Sequence, residues 1–400
     1  MQLVEQHVIS KSDPRYAIID QTTFASKNLY NAANYEIRQA FIHQGIYLCY
    51  EEMHARMKTH PAYQALPRKV SQQVLRLLPK NWISFFKALE AWKVDPFQFL
   101  GRPALPKYKD KQQGRNILIY TIQAISKTAL KQGYIIPSGL AIRIETKHQN
   151  VDQVRVIPRH GFYMAEVVYS RETAQASVDP SLYAGIDIGV NNLATLTSNK
   201  QSFVPRIVNG RPVKSINQYY NKHKADLGSK LMKMDARRRT SHRIEHLTTT
   251  RTRRINHYLH TASKRIINLL VQEGIGVLII GKNPNWKQEV ERGKRNNQQF
   301  VCIPHARFIE MLAYKAELVG IQVLITEESY TSKCSFLDKE PIKKQETYAG
   351  KRMKRGLFRA ADGRLINADV NGSYNIIRKV APHSFEGVEG VVVRPLRLAV

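Results

Sequence analysis

Apolar residues Leu29, Ala33, Ile37 and Phe41 recur at steps of four, which predicts an amphipathic helix from Thr23 to about Tyr50. A second helical stretch starts near Pro67 and runs through Val70, Val74, Leu77, Leu78, Phe85, Phe86 and Leu89, breaking at Pro96 and the turn over 101–106. Residues 1–22 and 103–172 read differently. Segments such as 116–122, 140–146, 153–158 and 162–169 alternate or are rich in β-branched and aromatic residues, predicting a small β-barrel interrupted by helices. A polar stretch over 172–181 reads as a linker. After it the pattern turns α/β: a strand over 183–198, helices between 214 and 272, strand Gly276–Ile280, a helix about 304–319, strand Ile321–Thr326, a loop-rich segment, and a last helix near 369–379. The expected fold class is therefore multidomain, part α/β and part β.

Composition turns this outline toward function. The 400 residues, 43% hydrophobic, suffice for two or three folded domains of about 150 residues each. Lys and Arg number 62 against 32 Asp and Glu, a formal charge of +30, far more than solubility requires, so the expected partner is a polyanion. Between 211 and 265 there are 15 Lys and Arg against 3 Asp and Glu, including Arg237, Arg238, Arg239, Arg253 and Arg254. One sign of charge concentrated on helices favours phosphate contact over a merely solvated face. No apolar run is long enough to span a bilayer, and the first residues lack the charged-then-apolar order of a secretory leader, so no membrane association is expected. Cys49, Cys302 and Cys334 are too far apart for a disulfide framework or a zinc-ligand pair, which points to a reducing cytoplasm.

Two aspartates stand out. In the segment 183–196, Ala184, Ile186 and Ile188 share one strand face while Gly185, Asp187 and Gly189 share the other, and the glycines clear space for a ligand or phosphate to approach. A strand-end Asp satisfied by turn amides is the alternative. Asp369 opens the helix that follows Ile366-Asn367-Ala368, where an N-cap would explain it without chemistry. Carboxylates this far apart in sequence converge only if one domain carries both. Magnesium needs a few such oxygens plus water and phosphate, and two ions would activate a water and stabilise a phosphodiester's leaving oxygen.

Gly185-Ile-Asp187-Ile-Gly189-Val-Asn-Asn-Leu-Ala, Tyr330-Thr331-Ser332-Lys333-Cys334-Ser335 and Asn367-Ala-Asp369-Val-Asn371-Gly-Ser-Tyr-Asn375-Ile resemble the RuvC motifs of TnpB proteins, transposon-encoded RNA-guided endonucleases ancestral to type V CRISPR effectors. The resemblance covers the whole chain. It implies a split β-barrel wedge domain at 1–22 and 103–172, a helical recognition domain at 23–102, and an RNase H-like RuvC nuclease domain at 173–400 with a basic helical insertion at 211–272. It further implies a guide RNA from the transposon's right end, recognition of a short transposon-adjacent motif, and cleavage of double-stranded target DNA using magnesium, for which manganese substitutes. A nucleoid-associated protein of a prokaryotic cytoplasm, with no obligate protein partner, is the implied setting.

The chain departs from the family pattern twice. The second acidic motif usually places Glu directly after a buried strand, but here Gly281 holds that position. Some TnpB lineages and the related Fanzor proteins resemble this chain in carrying a glutamate just before the Thr-Ser motif. The matching residue is Glu328, which completes the implied catalytic and metal set with Asp187 and Asp369; Glu327 is read as a surface acid. The alternative is a nuclease-inactive RNA-guided DNA-binding regulator, and a further one a strand-transferring transposase. Secondly, the paired Cys-x-x-Cys of a zinc ribbon is degenerate over 333–364: Cys334 is followed by Leu337, and the second knuckle reads Ala360-Ala-Asp-Gly363. Zinc is not expected, Cys334 is read as an ordinary buried thiol, and Tyr348, Leu357 and Phe358 are expected to pack the segment.

Base contacts are few in an RNA-guided system, because pairing reads the sequence. Lys69, Gln72 and Gln73 are the candidates for reading a short duplex motif, with Lys69 and Gln73 one helical turn apart. Lys282, Asn283, Trp286 and Lys287, after the middle strand, are candidates for strand contact, with the Trp286 indole suited to stacking on an unpaired base.

Overall fold

The computed structural model describes residues 1–235, 238–283, 293–388 and 390–400. The chain divides into two compact units, Met1–Arg171 and Glu172–Val400.

The first unit contains strand β1 (Gln2–Ser10), helices α1 (Tyr16–Gln44), α2 (Tyr50–Met57), α3 (Pro61–Gln64) and α4 (Arg68–Val94), then β2 (Leu118–Thr121), α5 (Lys127–Lys131), β3 (Tyr134–Ile135), β4 (Ile144–Glu145), β5 (Val151–Arg159) and β6 (Phe162–Ser170). Its sheet is antiparallel in the order β1-β6-β5-β2, with β3 and β4 forming a separate ribbon, so the expected barrel is open in its hydrogen bonding. Helix α1 starts seven residues before Thr23, inside the 1–22 stretch read as β. Its first turns bury Ile19 together with the polar Thr23 and Ser26, so the apolar repeat is hidden there. Thr23 bonds the Tyr163 hydroxyl at 3.0 Å, and Ser26 donates to the carbonyl of Ile117 at 2.9 Å, which meets the cost of burying those hydroxyls. The side chains of Leu29, Ala33, Ile37, Val74, Leu78 and Trp82 join α1 and α4 in one core.

The second unit contains β7 (Asp179–Ile188), β8 (Asn192–Ser198), β9 (Arg206–Asn209), α6 (Arg211–Met234), α7 (His242–Gln272), β10 (Ile275–Gly281), α8 (Lys294–Val301), α9 (His305–Glu317) and β11 (Gln322–Thr326). It continues with β12 (Lys351–Lys354), β13 (Leu357–Arg359), β14 (Leu365–Ile366), α10 (Ala368–Val380) and β15 (Leu396–Leu398). The single strand expected over 183–198 is a hairpin, β7 and β8, turned at residues 189–191. The sheet order is β11-β10-β7-β8-β9-β15, with β7, β8 and β9 antiparallel and β10 and β11 parallel to β7. Taken in chain order, its first five strands run 3-2-1-4-5 from β9 to β11, the RNase H-like arrangement. One face, through Ala184, Ile186, Leu278 and Ile280, buries against Leu259, Ile266, Phe308 and Leu312 of α7 and α9. The other face, through Val277 and Ile279, packs on Ile376 and Ile377 of α10.

Candidate active site

Period-two alternation puts Asp187 on the α10 face of β7, because its neighbours Ile186 and Ile188 are committed to the opposite core. The flanking glycines do not make room for a ligand, as their pattern implied. A Cβ at Gly185 would lie 2.5 Å from the Ser373 carbonyl oxygen and 2.7 Å from Ile377 Cγ1, and one at Gly189 would lie 2.7 Å from the Asn192 carbonyl oxygen. They admit helix α10 and the hairpin turn. Ser373 locks that approach, its hydroxyl reaching the carbonyls of Gly185 at 2.9 Å and Thr195 at 3.0 Å and the Thr197 hydroxyl at 2.9 Å.

The N-cap alternative for Asp369 is overturned. Asn367 is the cap, its Oδ1 accepting the N–H groups of Asp369 and Val370 at 3.0 and 3.2 Å. Asp369 lies one step inside the first turn, where the helix dipole favours a carboxylate. Its Oδ2 accepts from Asn192 Nδ2 at 2.7 Å, and its Oδ1 faces Arg352 of β12 at 3.6 Å. Asp187 and Asp369 line one cavity of about 370 Å³ with Asn192, Thr195, Arg352 and Arg355. Thr195 is paired directly opposite Asp187, and its buried hydroxyl has no hydrogen-bond partner. Asn192 was legible within the first motif. Arg352 and Arg355 were not, because they come from a basic hairpin outside the three motifs.

Glu328 stands just past the end of β11. Its N–H donates to Asn283 Oδ1 at 3.0 Å, its Oε1 accepts from Asn283 Nδ2 at 3.3 Å, and its carbonyl accepts from the Thr331 hydroxyl at 2.8 Å. Tyr330 takes a left-handed φ of 65° to make the turn. Asn283, a candidate for strand contact, thus holds Glu328 with its side-chain amide. Glu327 is exposed and accepts from the Ser329 hydroxyl. One step beyond the registered pair Ile280–Ile186, Gly281 and Asp187 carry on the same face. The Glu328 side chain fills the space a side chain at 281 would need: a Cβ there would lie 3.0 Å from Glu328 Oε2.

Asp187 feels the other two acids. The Asp187 carboxyl is pushed well above the ordinary carboxylate range, first by burial and then by the charges of Asp369 and Glu328, with Arg352 opposing. Among the described residues no three His, Cys, Asp or Glu side chains are close enough to hold a metal ion. The donor set, all carboxylate oxygens with an unpartnered Thr195 hydroxyl beside them, fits a hard divalent ion such as magnesium.

The third motif is explained by α10. Asn371 and Asn375, one turn apart, grip the 331–336 loop: Asn371 accepts from Phe336 N–H at 2.9 Å and donates to the Cys334 carbonyl at 2.9 Å, and Asn375 donates to the carbonyls of Thr331 and Cys334 at 2.9 and 2.7 Å. In the segment 333–364, Cys334 is buried and its thiol is pushed up by that burial. The buried Glu340 carboxylate accepts from the N–H groups of Ser335 and Ala349 at 2.7 and 3.0 Å. Asp338 accepts from Ala361 N–H at 2.9 Å, so the two degenerate knuckles are joined directly. Phe336, Phe358, Ile366 and Tyr374 form the packing here, whereas the expected Tyr348 lies outside that cluster, half-buried under Lys333.

Of the nucleic-acid candidates, Lys69 is exposed and Gln72 and Gln73 are half-buried in the first turns of α4. Arg253 and Arg254 are exposed on α7, and Arg238 and Arg239 are exposed between α6 and α7, Arg238 facing Asp235 at 3.5 Å. Lys282 is half-buried, its N–H bonded to the Thr326 carbonyl. Arg237, Trp286 and Lys287 lie outside the described residues. No helix among the described residues is long and apolar enough to cross a membrane.

Two family models match the chain in order: "Probable transposase" over residues 166–287 and "Cas12f1-like, TNB domain" over 305–376. A protein of Acidianus two-tailed virus named TnpB-like protein ORF457 is 23% identical over 407 residues, covering 93% of this chain and 83% of its own. Among solved structures, a Cas12f1-sgRNA-target DNA complex matches with a TM-score of 0.54 at 14% identity, covering 90% of this chain and 81% of the Cas12f1 chain, a likeness of fold. With the three motifs assembled on an RNase H-like sheet and both family models falling on that sheet and the segment after it, the chain is similar to TnpB-like proteins in sequence and to Cas12f1 in fold.

Proposed function

We propose that the chain is an RNA-guided DNA endonuclease that takes a transposon-end guide RNA, reads a transposon-adjacent motif and hydrolyses target phosphodiesters with divalent metal. The observation carrying this reading is the Glu328 carboxylate standing over Gly281, on the Asp187 face and within electrostatic reach of it. A nuclease that had lost its second acidic motif would have no reason to keep a glutamate tied into that space by Asn283 and Thr331. Asp187, Asp369 and Glu328 would hold magnesium, which supplies neutralisation of the scissile phosphate and activation of the attacking water. Arg352 and Arg355 line the same cavity and are placed to meet phosphate charge, while Asn192 fixes the Asp369 carboxylate. The formal charge of +30 and the exposed arginines of α7 suit the nucleic-acid partners. Residues 1–171 would supply the wedge and recognition parts, with Lys69, Gln72 and Gln73 as motif readers.

The test is to copurify the chain with its RNA, sequence that RNA, and challenge a plasmid carrying the matching target beside randomised flanks, with and without magnesium. Magnesium-dependent cutting beside one enriched flank is the expected result. Target binding without cutting would identify a nuclease-inactive regulator, and joined products a strand-transferring transposase.

A further inference from the structure

We propose that Asn283 is a positioning residue for the metal-holding carboxylate of Glu328, an inference that rests on the endonuclease reading above. Ladder pairing between β10 and β11 ends at Gly281–Thr326, followed by a last backbone bond from Lys282 N–H to the Thr326 carbonyl at 2.8 Å. Beyond that point the chain after β11 has no strand partner among the described residues. The Asn283 side chain continues the ladder in place of backbone. A primary amide carries an acceptor and a donor on one plane. Its Oδ1 takes the Glu328 N–H at 3.0 Å, and its Nδ2 reaches Glu328 Oε1 at 3.3 Å. One residue therefore fixes both where the glutamate's backbone lies and which way its carboxylate turns. Thr331 holds the Glu328 carbonyl from the other side. The result is that Oε2 stands over Gly281, the position beside Asp187 on the shared face. Relocating the acid from one strand to the next thus requires two changes, a glycine at 281 to vacate the space and an amide at 283 to steer the new side chain into it.

Partners that orient a metal ligand typically govern affinity or activity by about 10- to 100-fold. The experiment compares N283A, N283Q, E328A and N283A/E328A in the full chain. Three quantities are measured: Mn2+ binding, from the loss of the free-ion EPR signal; kcat and KM for target cleavage by the guide-loaded protein; and target binding without metal. In N283A, Mn2+ affinity and kcat should fall about 10- to 100-fold while KM and target binding hold. N283Q, which keeps both amide groups, should recover part of the loss, and the double variant should be no worse than E328A. Wild-type Mn2+ affinity and kcat in N283A beside an inactive E328A would overturn this inference alone. A fully active E328A would remove Glu328 from the mechanism and overturn this inference with it, whereas a wild-type chain that binds target without cutting would overturn the endonuclease reading beneath it. Loss of target binding in N283A would reduce Asn283 to a general structural role and also overturn the inference.

Discussion

Gly281 and Glu328 share one volume: a Cβ built on the glycine would lie 3.0 Å from the glutamate's Oε2, 3.2 Å from its Cβ and 2.7 Å from Ile376 Cδ1. The absence of a side chain at one strand end is what admits the acid from the neighbouring strand. E328A should therefore lower cleavage by at least about 100-fold, more than the loss of an orienting partner, while guide-dependent target binding stays intact. G281A, which pushes on both Glu328 and Ile376, should lower cleavage as well. Plasmid cutting and gel-shift assays read both, and full cutting by E328A would remove this residue from the mechanism.

Asp187 couples the site to pH. Its carboxyl is raised in the folded chain, so the stability tied to it is present below the ordinary carboxylate pKa of 3.8 and is lost as pH rises through the folded value. At neutral pH without metal, D187N should raise Tm, by about 2–4 °C per kcal/mol relieved, while abolishing cleavage. Because metal competes with that proton, the Mn2+-induced rise in Tm of the wild-type chain should shrink as pH falls, which differential scanning fluorimetry across pH would check.

Asn375 holds two buried carbonyls of the loop that carries Thr331. Removing the amide in N375A leaves the Thr331 carbonyl unsatisfied, at a cost of about 1–3 kcal/mol, while the Cys334 carbonyl keeps its bond from Asn371. Urea unfolding should show that loss, and cleavage should fall with it because Thr331 anchors Glu328. An unchanged denaturation midpoint would contradict the geometry.

Glu340 and Asp338 tie together the segment 333–364, where the zinc-ribbon pattern is degenerate. E340A should lower Tm, since two backbone N–H groups lose a buried carboxylate. A zinc chelator should leave the wild-type Tm unchanged, and a chelator-induced fall would show that metal holds the segment after all.

Exposed Arg253 and Arg254 should act through charge. R253E/R254E should weaken RNA binding at low salt and flatten the dependence of log K on log salt by about 0.7–0.9 for each phosphate that the variant no longer neutralises. Filter binding across a salt series measures this, and an unchanged slope would assign these arginines to a solvated face.

The two long first-unit helices and the alternation of β7 were legible in the chain, because alternation in 183–188 and steps of four in 29–41 report directly on which side chains leave water, whereas the β7–β8 turn and the short strands β12–β14 were not. Asp187 and Asp369 were legible from their motifs. What the pattern could not carry was the function of a residue whose partner is remote in sequence. The first turns of α1 were hidden because Thr23 and Ser26 are buried through hydrogen bonds from β6 and the chain before β2. Gly185 looked like room for a ligand and is room for α10. Asp369 looked like a cap until Asn367 took that place.

By itself the sequence determined that this chain folds into α/β and β parts, carries a large positive charge and holds two aspartates in one family's motifs. Tertiary structure alone decided that Glu328 enters the space beside Gly281, that Asn283 steers it, and that Arg352 faces Asp369. The physical reason is that hydrophobic periodicity is a local record of burial. Electrostatic coupling and steric exclusion act between side chains at distances of a few ångströms that sequence separation does not encode, and only the packed sheet and helix bring those side chains together.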